Sequence, residues 1–266
     1  MSIPVTLHCE VLGEGPDLVI LHGLFGSLEN WRGPARLLAE HFRVWLVDQR
    51  NHGLSPHSTE FHYGAMADDL HALLDLHALE RVHLLGHSMG GKTAMLYAAL
   101  HPDRVNRLIV EDMGPGGYGP HHDEVFKGLL TLPLGQLQSR SEADKLLRDA
   151  IPIDGVRRFL LKNLYRKADG TWAWLCNLSV LFGSYRHLLS ALPLDAPLVC
   201  PTLFVKGELS DYLDPSRNDE LLELFVQRRQ VTIQGAGHWV HAEQPAAFLQ
   251  AVQAFLLEGV AKPVAI

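Results

Sequence analysis

Cysteine is scarce: three residues among 266, Cys9, Cys176 and Cys200, at wide spacing. An odd and small number is not a disulfide framework, and no C-x-x-C pair offers zinc thiolates. A reducing compartment, the cytoplasm, is therefore expected. Histidine is plentiful at 16 residues, yet no H-E-x-x-H or similar ligand spacing occurs, so no metal is expected. No apolar run approaches the roughly 18 residues that a bilayer-spanning helix needs. The opening "MSIPVTLHCEV" lacks a basic stretch followed by a long apolar one, so no secretory leader is expected. Positive charge is in the minority, 23 Lys and Arg against 30 Asp and Glu, a net −7. The basic residues are scattered, densest at 157–158 and 228–229, which argues against a nucleic-acid partner. Internal repeats and low-complexity linkers are missing too.

What is present is an ordinary globular composition, 47% hydrophobic, in a length that suits one large domain with a sizeable insertion. Continuous apolar runs at 17–22, 42–48, 82–86 and 105–112 read as strands covered on both faces. Helical patterns at 30–41, 64–79 and 88–102 separate them, the last stopped by Pro102. Such alternation implies βαβ units and a mostly parallel sheet of about seven or eight strands. Residues 114–200 break it with helical patterns only. Strands resume at 201–207 and 229–235, with helices near 215–226 and within 245–259. The expected organisation is one core, residues 1–113 and 201–266, with 114–200 inserted as a helical lid.

One stretch, "LLGHSMGGKTAM" at 84–95, satisfies two motifs at once. Gly86 to Gly90 is G-x-S-x-G, a nucleophile elbow around Ser88. Gly86 to Thr93 is also G-x-x-x-x-G-K-T, a phosphate-cradling loop. A phosphate loop usually follows the first strand of its domain, and this one follows a later strand. Nothing else in the chain is specific to a nucleotide, so Lys92 and Thr93 read as the second turn of a helix. The elbow has company. Gly86, Gly90 and Gly91 give the small residues that a strained turn needs, and Ser88 opens a helix whose dipole favours developing negative charge. The amide of Met89 faces the same space. A second oxyanion donor is expected in "LHGLFGS" (21–27), at Leu24 or alternatively Phe25. The general base belongs on a loop after the last strand, where "QGAGHWVHAEQP" (234–245) offers His238, with His241 second.

Taken together, "HGLFGS", "VDQRNHGLS", "GHSMGG" and "GAGHWVHAEQP" resemble the α/β-hydrolase superfamily, over nearly the whole chain. The form with Arg50 to Ser55 is similar to a branch of small bacterial serine esterases and their mitochondrial relatives. The resemblance implies an α/β-hydrolase fold and no cofactor. It implies short acyl esters, sometimes thioesters, as substrates, and a structural role for Asp48 to Ser55. The common family pattern puts the acid three residues after the glycine closing the penultimate strand. Here that glycine is Gly207 and the residue is Ser210, which cannot carry the charge that orients an imidazolium. Asp211 is one residue late, and Asp112 ends the strand after the elbow helix. The esterase branch resembles this chain in carrying the acid early and a serine late, which favours Asp112, with Asp211 as the alternative and Ser210 as an auxiliary hydroxyl on the imidazole. Glu111 should point the other way, since strand side chains alternate.

The expected activity is that of a serine carboxylesterase acting through an acyl-enzyme on short-to-medium acyl esters. A thioesterase or a carbon–carbon bond hydrolase on the same triad is the alternative. A ligand-binding or signalling homologue with little turnover is more remote. Phe25, Trp172, Phe182 and Tyr185 are expected to line the substrate pocket. A small-molecule ester or thioester is the expected partner, and the chain would be a monomer or homodimer.

Overall fold

The computed structural model describes residues 2–214 and 221–258. Among the described residues, seven strands form one sheet in the order β1-β3-β2-β4-β5-β8-β9. They are β1 (Cys9–Leu12), β2 (Asp17–Leu21), β3 (Arg43–Val47), β4 (Val82–His87), β5 (Val105–Glu111), β8 (Thr202–Gly207) and β9 (Arg228–Ile233). Only β1 is antiparallel, paired with β3; every other neighbour is parallel. The apolar runs explain this, because each inner strand buries both faces. Leu18 and Ile20 of β2 enter one core while Val19 and Leu21 enter the other. On the first side pack α1 (Arg32–Leu38) and the C-terminal helix α9 (Pro245–Leu256), through Leu38, Phe248, Leu249 and Val252. On the opposite side pack α2 (Tyr63–Leu76) and α3 (Met89–Leu100), through Met66, Leu70, Leu73 and Met95.

The chain runs outward from β2 to β3, then crosses back to place β4 on the other side of β2. That reversal opens a crevice at the carboxyl ends of the strands, where ligands bind in sheets of this type. Every candidate site loop leaves the sheet at that edge.

The segment between β5 and β8 differs from its sequence-based expectation. It holds α4 (Asp123–Thr131), α5 (Arg140–Leu146), α6 (Asp154–Leu160), α7 (Leu178–Gly183) and α8 (Tyr185–Leu189), but also a two-stranded hairpin, β6 (Leu164–Arg166) with β7 (Trp172–Trp174). The helices-only reading is corrected here. Asp169-Gly170 closes the hairpin, with Gly170 at φ 85, a conformation that suits glycine, and the Asp169 carboxylate accepting from Thr171. Two neck segments join this insert to the core. They pair through Tyr118 N–H to Leu189 O (2.8 Å) and Leu192 N–H to Pro115 O (2.9 Å). Of the helix expected near 215–226, residues 215–220 lie outside the described residues. Among the described residues, no helix is long and apolar enough to cross a membrane.

Candidate active site

Ser88 follows β4 directly and opens α3, at φ 52 and ψ −117. A β-carbon on Gly86 would lie 2.2 Å from Gly90 O, and one on Gly90 would lie 2.3 Å from Leu21 O, so the turn closes only with glycine at both places. The turn is locked to the next strand by Ser88 N–H to Glu111 O (3.1 Å). Phe25 and Asp112 share the positive φ of Ser88, at 60 and 48. Strain of this kind, about 1–3 kcal/mol per residue, gathers at sites whose surroundings over-determine the backbone.

Asp112 and His238 are brought together across 126 residues, with His238 Nδ1 2.7 Å from Asp112 Oδ2. A carboxylate only accepts, so Nδ1 carries the hydrogen and Nε2 of the neutral ring is left as an acceptor. Asp112 Oδ1 takes the Gly207 amide at 2.9 Å, and Oδ2 also accepts the Ser210 hydroxyl. Ser210 therefore bonds the carboxylate and not the imidazole, a correction to the expected auxiliary role. The reason is register: β5 and β8 are neighbours, so the loop after Gly207 lies beside Asp112. Asp211 is exposed and faces the outer cavity. The Tyr212 ring stacks on His238 at 4.0 Å. His241 is buried against Glu111, with Nδ1 2.8 Å from Oε1.

Before the nucleophile lies the loop after β2. Leu24 and Ser88 border the same two cavities. The Phe25 amide is taken up by His52 Nε2 at 3.3 Å, so this alternative oxyanion donor is already engaged, and the Leu24 amide remains the candidate beside Met89. Burial pulls His52 down to about 3 and His22 down to about 4, which keeps both rings neutral. Each donates from Nδ1 to a carbonyl (Arg50 O, Gly23 O) and accepts an amide on Nε2. Asp48 accepts the amides of Leu28 and Leu54, and Arg50 forms a buried two-pronged pair with Asp69. The stretch from Asp48 to Ser55 thus ties the loop after β2 to the sheet.

A serine on a strained strand-to-helix turn, with a carboxylate-bound histidine across its cavity, is one of the arrangements found in acyl-transfer enzymes. The sequence profile of the α/β-hydrolase fold matches residues 16–154. The chain belongs to the α/β-hydrolases. The esterase YbfF of Escherichia coli is 40% identical over 240 residues, covering 90% of this chain and 92% of that protein. The mouse sn-1-specific diacylglycerol lipase ABHD11 is 40% identical over 249 residues, covering 91% and 81%. A solved marine microorganism esterase superposes with a TM-score of 0.92 at 41% identity, covering 94% of this chain and 99% of its own.

In this α/β-hydrolase, three cavities meet the candidate residues. One of about 40 Å³ is lined by Ser88, Met89, Tyr63, Met113, Tyr185 and Tyr212, among others. One of about 60 Å³ is lined by Ser88, His238, Phe25, His122, Phe159 and Trp239, among others. The third, about 460 Å³, runs outward past His238 between Tyr118, His121, Asp211 and Tyr212. Of the expected pocket residues, Phe25 and Tyr185 reach cavities on Ser88. Phe182 does not: it is 50% exposed and lines an outer groove with Leu130. Trp172 does not either, because the hairpin carries it away to lie beneath the Arg166 guanidinium at 6.0 Å. Sequence reasoning missed Tyr118, His121, His122 and Tyr212. Tyr118, His121 and His122 lie in a Gly- and Pro-rich stretch, 114–122, that carries no motif of its own.

Lys92 sits in α3 as expected, yet it is fully buried. Its ammonium donates to Gly116 O and Ser190 O, both at 2.7 Å, and lies 4.8 Å from the Tyr118 ring. Those carbonyls belong to the two necks of the insert, and burial pulls Lys92 down to about 7.

Proposed function

We propose that this ester-hydrolysing α/β-hydrolase works as a serine carboxylesterase on short-to-medium acyl esters, through an acyl-enzyme. One observation carries the reading: Ser88, on its strained turn, shares a cavity with a histidine whose Nδ1 is held by a buried carboxylate. His238 Nε2 takes the Ser88 proton as Oγ attacks the acyl carbonyl, and Asp112 stabilises the imidazolium. The amides of Leu24 and Met89 hold the oxyanion. Collapse breaks the bond to the alcohol oxygen, which leaves with the proton from His238. Water then gives a proton to His238, attacks the acyl-serine, and the acid departs as Ser88 recovers its hydrogen.

The cavity sizes support a division of the substrate. The two small cavities on Ser88 suit a short acyl chain, and the larger one past His238 suits the leaving alcohol, which that histidine must protonate. Residues 114–200 act as the lid over this crevice. The three cysteines are free, two of them buried, as suits the cytoplasm. Labelling with a fluorophosphonate probe followed by mapping tests the reading. Ser88 should be the modified residue, and Ser88→Ala should abolish turnover of p-nitrophenyl butyrate while the fold stays intact. More than a few per cent of residual activity in the folded variant, or modification elsewhere, would sink it. Parallel turnover of p-nitrophenyl butyrate, a diacylglycerol and an acyl-CoA then ranks ester against lipase and thioesterase use.

A further inference from the structure

Behind the candidate triad lies a second set of buried polar side chains. Glu111, Asp112's neighbour at the end of β5, is 0% exposed. Its carboxylate accepts the His241 backbone amide at 2.7 Å and the His241 Nδ1 hydrogen at 2.8 Å. The His241 ring is stacked on Trp31 at 4.1 Å. His87, the residue before Ser88, places Nε2 3.0 Å from the carbonyl of His238. A carbonyl only accepts, so Nε2 bears the hydrogen, and burial, which pulls His87 down to about 3, keeps that ring neutral.

These contacts have one geometric result. The loop carrying His238 contains Gly235 at φ 69 and Gly237, whose amide Glu243 accepts at 2.7 Å, so its placement rests on the side chains that hold it. It is gripped at His238 O by His87 and at His241 by Glu111. The backbone carbonyl of the same Glu111 holds the Ser88 amide at 3.1 Å. Consecutive strand residues point to opposite faces. Asp112 therefore serves the His238 ring on one side while Glu111 serves the loop on the other. His87, Glu111 and His241 do bring three possible metal-ligand atoms within 4.8 Å of one another. His87 Nε2, the Glu111 carboxylate and His241 Nδ1 all hold hydrogen bonds within the molecule, so the set reads as a clamp.

We propose, on the basis of the serine-esterase reading above, that Glu111 and His241 are positioning residues that set the distance between His238 and Ser88. Burying a carboxylate is costly unless it is well paired. Burial would push Glu111 up, but the His241 ring beside it and the two hydrogen bonds from His241 outweigh it, and the group lies below its ordinary value, ionised. A misplacement of 1 Å in a reacting group costs about 10²-fold in rate, so a modest slackening of this loop is visible in kinetics.

The test compares Glu111→Gln, His241→Gln and the double variant, with Leu249→Ala in the same core as a matched loss of stability. Each is assayed well below its own unfolding temperature. Glu111→Gln should lower kcat about 10- to 100-fold with KM changed less than about twofold, the loss that such misplacement implies. It should slow fluorophosphonate labelling of Ser88 in proportion. The downfield proton resonance of His238 Nδ1–H should shift or broaden. The double variant should be little worse than either single change, because both act on one loop. Leu249→Ala should keep kcat and the resonance. If Glu111→Gln yields no folded protein, His241→Gln carries the same comparison. A lower unfolding temperature with wild-type kcat, labelling rate and resonance would reduce the pair to a structural role and overturn the proposal. Failure of the wild type to be labelled at Ser88 would instead overturn the esterase reading, so the two failures are distinguishable.

Discussion

At the scale of single residues, the acid is the sharpest question. Asp112 faces three donors: the His238 ring, the Ser210 hydroxyl and the Gly207 amide. Asp112→Asn must aim an amide NH₂ at one of them. The expected loss in kcat/KM is about 10²–10⁴, the upper end matching the comparable change in a serine protease triad. Ser210→Ala removes one donor from a charged acceptor, an interaction of about 1.5–3 kcal/mol, so about 10- to 100-fold is expected if the whole effect reaches the transition state. Asp211→Asn touches an exposed side chain and should cost less than about tenfold, since surface changes usually fall within about 0.5 kcal/mol. Kinetics of the three variants on one p-nitrophenyl ester decide the matter. A greater loss from Asp211→Asn than from Asp112→Asn would reverse the assignment. That Asp112 was the stronger choice was legible only through family resemblance, because no local pattern distinguishes it from Asp211.

Among elements, the elbow makes the cleanest prediction. A methyl group on Gly90 would meet Leu21 O at 2.3 Å, whereas one on Gly33 in α1 meets nothing within 4 Å. Gly90→Ala should destabilise by about 1–3 kcal/mol or more through overpacking. Gly33→Ala should stabilise by roughly 0.5–1 kcal/mol by restricting the unfolded chain. Chemical denaturation of both measures the contrast, and equal effects would show that the elbow is not tightly packed. The hairpin β6–β7 teaches the opposite lesson. Its residues fall in the stretch read as helical patterns only, while the Asp169-Gly170 turn was the stronger signal.

For the whole molecule, Lys92 couples core and insert. It lies beneath both necks, so its charge is felt as stability. The folded protein holds the Lys92 proton only up to about pH 7, whereas the unfolded chain holds it to about 10.5. Between those values the unfolded state binds more protons, so stability rises with pH; below about 7 both states are protonated and the burial penalty is present in full. Lys92→Met removes this group at similar size. The difference in unfolding free energy between wild type and variant should therefore change in favour of the wild type from pH 7 to pH 9. A constant difference across that range would show that the ammonium is not penalised by its burial.

The sequence by itself determined what depends on near neighbours. Continuous apolar runs set the strands, and Gly86, Gly90 and Gly91 set the elbow, because both follow from the sterics of a few adjacent residues. The tertiary structure alone decided which side chains meet. Asp112 reaches His238 across 126 positions and Ser210 across 98. Those meetings, like the grip of Glu111 on His241, exist because β5 lies between β4 and β8 in the sheet. Strand order and register are global properties, fixed when the whole core packs, and no local periodicity encodes them.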